Sequence, residues 1–151
     1  GACRSRLFAF MTMTEVARSP SCYDLAYVLD EVYWSTFIAT MKADRGALAF
    51  LMKCSDAQVP TCVVTDMTAH IQIRKIAQLG IGDYVTHLVT SEEVGVEKPD
   101  KRMFTKAVYK LGVRLDRCLM LGDSIKKDVE GAINAGIKAN LIRLSAPHQN
   151  D

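Results

Sequence analysis

From Pro60 onward the chain repeats one unit, a short apolar run ending in polar residues and then a segment with helical periodicity. The runs are Cys62-Val63-Val64, His87-Leu88-Val89, Cys118-Leu119-Met120-Leu121 and Ala139-Asn140-Leu141-Ile142. Each is too short and too continuously apolar for a half-exposed strand, so the pattern predicts βαβ units on a parallel sheet with helices on both faces. The helical stretches are equally regular. Ile71, Ile73, Ile76, Ala77 and Leu79 line up before Gly80, Phe104, Ala107, Val108 and Leu111 before Gly112, and Val129, Ala132, Ile133 and Ala135 before Gly136. Glycine at that position is what a helix C-terminal cap requires.

Residues 1–58 carry no comparable strand signal. Leu25, Val28, Leu29, Val32, Tyr33 and Phe37 recur at helical spacing across residues 23–41, and residues 47–52 continue as helix after an expected break at Asp44-Arg45-Gly46. Residues 7–13 fit a helix and a strand equally well. Trp34 is expected either in the core or against a partner element.

Composition narrows the possibilities. A chain of 151 residues with 49% hydrophobic and 24% charged positions has enough apolar material for one core. The net charge of +2 spreads 19 basic residues among 17 acidic ones, which gives no reason to expect nucleic acid or an anionic membrane surface as partner. No apolar run approaches the ~20 residues that span a bilayer. The five cysteines, Cys3, Cys22, Cys54, Cys62 and Cys118, form no CxxC pair, so they are expected as buried or half-buried thiols in a reducing cytoplasm.

The chemistry should lie where strands end, because in an open parallel sheet the carboxyl-terminal loops meet helix N-termini that favour anions. The first strand delivers Thr65 and Asp66, where a hydroxyl and following N–H groups suit a phosphate oxygen. The same residues also read as an ordinary helix cap, with Asp66 or Thr68 as the capping group. The second strand leads to Lys98-Pro99-Asp100, where Lys98 either reaches a phosphoryl group or is solvated beside a helix begun by Pro99. The third delivers Asp123, with Asp128 five residues on. Two carboxylates at a strand end suit Mg²⁺, and the alternative is a cap and a first-turn dipole partner.

Taken in order, these segments resemble the haloacid dehalogenase (HAD) superfamily of phosphohydrolases, from about Tyr33 to Ile142. The resemblance is carried by Val63-Val64-Thr65-Asp66, by residues 91–100 reading SEEVGVEKPD, and by Met120-Leu121-Gly122-Asp123-Ser124 through Asp128 to Gly136. It implies a Rossmann-like α/β core at residues 44–151 and part of a helical cap at residues 1–43. It also implies a Mg²⁺-dependent phosphatase of small phosphomonoesters. Thr65, Asp66 and Lys98 would hold the phosphoryl group, Thr65 and Lys98 would serve the chemistry, and Asp123 and Asp128 would hold the metal.

The family's first motif, an apolar strand ending in Asp-x-Asp, has no counterpart here, since no Asp-x-Asp occurs in the sequence. Its first aspartate attacks phosphorus and its second moves protons. The expectation is therefore a truncated or degenerate chain, inactive alone. The alternative is a non-catalytic HAD-like module, and 2-haloacid dehalogenase chemistry is disfavoured because it gives the acidic pair no role. The absent strand would lie centrally, between those ending at Thr65 and Leu121. The four strands are thus expected to close up, or residues 5–13 or another copy of the chain to fill the gap, because exposed strand edges invite pairing.

Overall fold

A computed structural model of the chain describes residues 5–142. Cys3 lies outside the described residues. The chain opens with two helices, α1 (Arg6–Val16) and α2 (Cys22–Ala39). They pack together through Phe10 and Tyr33, whose ring centroids are 6.1 Å apart, and through the Arg6 guanidinium, 4.3 Å from the Tyr33 ring. Residues 7–13 are helical. A third helix, α3 (Arg45–Asp56), begins at the expected break, because the Asp44 carboxylate accepts the Ala47 N–H at 2.8 Å and caps it.

The remainder alternates strands and helices as the apolar pattern predicts. Its elements are β1 (Cys62–Thr65), α4 (Ala69–Gln78), β2 (His87–Thr90), α5 (Ser91–Val94), α6 (Lys101–Leu111), β3 (Leu119–Gly122), a π-helical turn (Ile125–Val129), α7 (Glu130–Asn134) and β4 (Lys138–Leu141). The three helices expected to stop at glycines do so, with Gly80, Gly112 and Gly136 in the left-handed region at φ 64°, 65° and 84°. Pairing is parallel throughout. β1 lies against β2 with Cys62 opposite His87, and β3 against β4 with Leu119 opposite Lys138.

The two pairs do not join. The strands form separate two-stranded sheets, β1-β2 and β3-β4, and residues 6–16 are helix. The expectation that the four strands close up, or that residues 5–13 fill the gap, is therefore overturned. One apolar cluster nevertheless spans both pairs. In it the buried Met103, Phe104 and Ala107 of α6 join Val89, Ala132 and Ile137, and Cys62, Val64, Met120 and Ala139 pack against it. Side chains from all four strands thus belong to or pack against one cluster, which joins the two pairs without a shared ladder. Coverage of the strands is uneven, since Leu119 on β3 remains 55% exposed.

A smaller cluster joins the helical hairpin to this unit. Trp34, here a core residue, packs with Ile38 and Ile71. Around it the Lys75 ammonium lies 5.2 Å from the Trp34 ring, and Arg74 donates to Ser35 Oγ at 3.0 Å. Burial pushes the Lys75 amine below its ordinary range. On the other side, Lys110 donates to Glu93 Oε2 at 2.6 Å and to the Leu88 carbonyl at 2.6 Å, fastening α6 to β2. That hydrogen bond, with Lys106 nearby, holds the Glu93 carboxyl below the usual carboxylate range. Cys22, Cys54, Cys62 and Cys118 are free and half-buried, and burial pushes the Cys62 thiol up to about 11.

The close approach of α6 to α7 depends on Gly131. A Cβ there would stand 2.7 Å from Phe104 Cε2 and 3.0 Å from Pro99 Cα. Gly131→Ala should therefore destabilise the chain by about 1–3 kcal/mol, the usual cost of overpacking, as a lower urea midpoint at unchanged slope. An unchanged midpoint would show that α6 and α7 are not tightly seated.

Candidate functional site

Three loops meet at the carboxyl ends of β1, β2 and β3. The first leaves β1 at Thr65, whose hydroxyl oxygen accepts the Met67 N–H at 3.3 Å and lies 3.3 Å from Gln72 Oε1 as donor. Neither Asp66 nor Thr68 caps α4 with its side chain. The orphan Ala69 N–H instead donates to Glu92 Oε2 at 2.8 Å, so a residue of α5 satisfies the start of α4. This frees the Asp66 carboxylate for two other partners. Oδ1 accepts the backbone N–H of Lys98 at 2.8 Å, and Oδ2 accepts from Lys127 Nζ at 2.6 Å.

The second loop carries Lys98 inward. Its ammonium donates to Asp128 Oδ1 at 2.6 Å, with side-chain exposures of 13% and 5% for the two residues. The reading of Lys98 as a solvated surface lysine is thereby excluded. A carboxylate this deeply buried needs both oxygens engaged, because an unpaired buried charge is costly. Asp128 Oδ2 meets that need by accepting the Ser124 N–H at 3.0 Å.

The third loop explains how Asp128 comes to be there. Ser124 caps the π-helical turn by accepting the Lys127 N–H at 3.2 Å, while Asp128 reaches back to the Ser124 N–H. This is the reciprocal logic of a capping box, widened by one residue because the turn is π-helical. Gly122 is required alongside. A Cβ at that position would lie 2.4 Å from Asp128 Cβ.

The two carboxylates predicted as a pair play unequal parts. Asp128 is buried and engaged, whereas Asp123 is exposed at the end of β3. Among the described residues no group of three or more His, Cys, Asp or Glu side chains is placed to hold a metal ion. Thr65, Asp66, Lys98 and Asp128 are drawn together by direct bonds or by adjacency in one loop. Lys127 was missed by the sequence reading, although it lies 3.9 Å from Glu97 Oε2 as well as bonding Asp66. The available signal was its position beside Asp128 in a loop that follows a strand end.

Comparison with known proteins bears on the family and the fold. Residues 7–136 match the family model described as haloacid dehalogenase-like hydrolase. The chain is 34% identical over 116 residues to a ribulose-1,5-bisphosphate 5-phosphatase of Halopiger xanaduensis, covering 77% of this chain and 48% of that protein. It is 34% identical over 111 residues to a glyceraldehyde 3-phosphate phosphatase of Methanopyrus kandleri, covering 74% and 48%. The chain thus spans about half the length of the curated relatives it matches. In structure it resembles a HAD phosphatase from Thermococcus onnurineus, with TM-score 0.70, 22% identity, and 89% of this chain and 66% of that one covered. A 2-haloacid dehalogenase from Pseudomonas syringae gives TM-score 0.70 at 22% identity, with coverages of 95% and 62%. The family match runs along residues 7–136, most of the chain, and the chain belongs to the haloacid dehalogenase-like hydrolase family.

Proposed function

We propose that this chain is the phosphoryl-binding portion of a phosphatase for small phosphomonoesters, without the group that attacks phosphorus. The observation that carries the reading is the buried Lys98–Asp128 ion pair at the strand ends, reached from β1 through Asp66. A lysine held at 13% exposure with its charge balanced is a cation kept ready for an anionic ligand. The Thr65 hydroxyl and the N–H groups after it supply neutral donors on the β1 side, and Asp66 positions the Lys98 backbone. Relatives named for ribulose-1,5-bisphosphate, glyceraldehyde 3-phosphate and phosphoserine support a small phosphorylated substrate.

Phosphatases of this family generally use Mg²⁺. Here the donor chemistry fits through Asp123, an exposed hard-oxygen ligand at the end of β3. Mg²⁺ binds through one or two carboxylates and keeps waters or phosphate oxygens for the rest, so a larger protein cage is not needed. Asp128, committed to Lys98 and the Ser124 N–H, supports that loop from behind. When bound, the ion would supply positive charge for the phosphoryl oxygens.

Under this reading residues 1–43 are part of a cap, and the nucleophilic strand belongs between β1 and β3, which share no ladder. The edges so left would also suit pairing with a second copy. A reducing cytoplasm is part of this reading and is supported by the free cysteines among the described residues, among which no helix is long and apolar enough to cross a membrane. A second reading, a non-catalytic module that binds an anion or a partner, is favoured by the absence of Asp-x-Asp from the sequence.

The test is hydrolysis of p-nitrophenyl phosphate by the isolated chain with Mg²⁺. No turnover above background is expected. Turnover abolished by Asp123→Ala would show that an unrecognised nucleophile operates in this chain and would overturn the proposal.

A further inference from the structure

The polar contacts at the strand ends close on themselves. Asp66 Oδ1 accepts the Lys98 N–H at 2.8 Å, Lys98 Nζ donates to Asp128 Oδ1 at 2.6 Å, Asp128 follows Lys127 in the chain, and Lys127 Nζ returns to Asp66 Oδ2 at 2.6 Å. The ring links the loop after β1, the loop before α6 and the loop after β3. Two of these loops serve the β1-β2 sheet and one the β3-β4 sheet, and the sheets share no hydrogen-bonded ladder. At the site itself, the Lys127–Asp66 bond is a direct polar link from one sheet's loops to the other's.

We propose that Lys127 is a positioning residue, whose ion pair with Asp66 latches the two half-sheets together and thereby holds Lys98 in place. The inference rests on the reading of Lys98 as a phosphoryl-binding lysine. Its physical basis is the sharing of one carboxylate. Asp66 has two oxygens, one spent on the Lys98 backbone and the other on Lys127, so the orientation that suits Lys127 fixes the direction in which the Lys98 N–H must point. Both ion pairs are shielded, with Asp66 13% and Lys127 34% exposed, so neither is an ordinary surface pair. Glu97 Oε2, 3.9 Å from Lys127 Nζ, steadies the ammonium from the loop that carries Lys98. Gly122 makes the geometry possible by leaving room for Asp128 beside β3.

A lysine acting only as an extra positive charge would behave differently from a latch. Removing a charge weakens anion binding whatever Asp66 is doing. Removing a latch matters only while Asp66 is there to be held.

The experiment uses the full chain, its Lys127→Met, Lys127→Arg and Asp66→Ala variants, and the double variant Lys127→Met with Asp66→Ala. Amide hydrogen exchange is followed at Lys98, with Phe104 as a reporter that the core is intact, and the affinity for inorganic phosphate is measured by calorimetry. Lys127→Met should speed exchange at Lys98 by about tenfold, leave Phe104 unchanged, and weaken phosphate binding about fivefold, within the range for directly coupled residues. Lys127→Arg should restore most of both effects. In the Asp66→Ala background Lys127→Met should add nothing. Unchanged Lys98 exchange in Lys127→Met, or an equal loss of phosphate affinity with and without Asp66, would overturn the latch. If the unaltered chain binds no phosphate, the reading of the site fails, and the latch is then decided by Lys98 exchange in the same variants.

Discussion

The structure depends on one apolar cluster, built on α6, that is shared by two sheets with no hydrogen-bonded ladder between them. Met103, Phe104 and Ala107 of α6 are buried against Val89, Ala132 and Ile137, and residues from every strand lean on that cluster. Burying a Phe or Met side chain is worth about 1.5–3 kcal/mol, so the cluster is the main non-local attraction available to a sheet split in two. It works only because Gly131 lets α7 come within contact of Phe104. Once α6 is seated, the loop before it is seated too, and that loop carries Lys98.

Electrostatics then adds what apolar packing cannot, a direction for each side chain. Lys98 and Asp128 are too deeply placed to stand alone, and removing one partner of such a pair costs about 3–5 kcal/mol. Their bond therefore couples the loop before α6 to the π-helical turn after β3, and the turn in turn is held by the exchange between Ser124 and Asp128. The result is a cluster of loop residues in which Lys98 is paired with Asp128 and Lys127 with Asp66, while Asp123 beside them is exposed. Under the proposed reading, this arrangement would receive a phosphoryl group, with Asp123 beside it for a divalent cation.

Much of this was legible in the sequence, for identifiable reasons. The strands, their parallel pairing and the glycine stops follow from apolar periodicity and backbone freedom, which are local. Thr65, Asp66, Lys98 and Asp128 were recoverable because strand ends concentrate chemistry in an α/β fold. Lys127 had one signal, its place beside Asp128 after a strand end, but nothing local marks it as paired with a residue 61 positions away. The unequal roles of Asp123 and Asp128 were hidden for a related reason. Which carboxylate turns inward is decided by the π-helical turn and by the room at Gly122, and neither can be read from spacing. The separation of the two sheets also escaped the pattern, because apolar periodicity marks each strand and not which strands lie side by side.

The central proposal is that this chain is one portion of a phosphatase whose attacking group sits on a strand between β1 and β3. The most direct measurement is the transcript sequence upstream of the Gly1 codon. The account predicts an open reading frame that encodes an apolar run ending in Asp-x-Asp. A stop codon followed by a start near Gly1 would contradict it and would leave a non-catalytic binding module in its place.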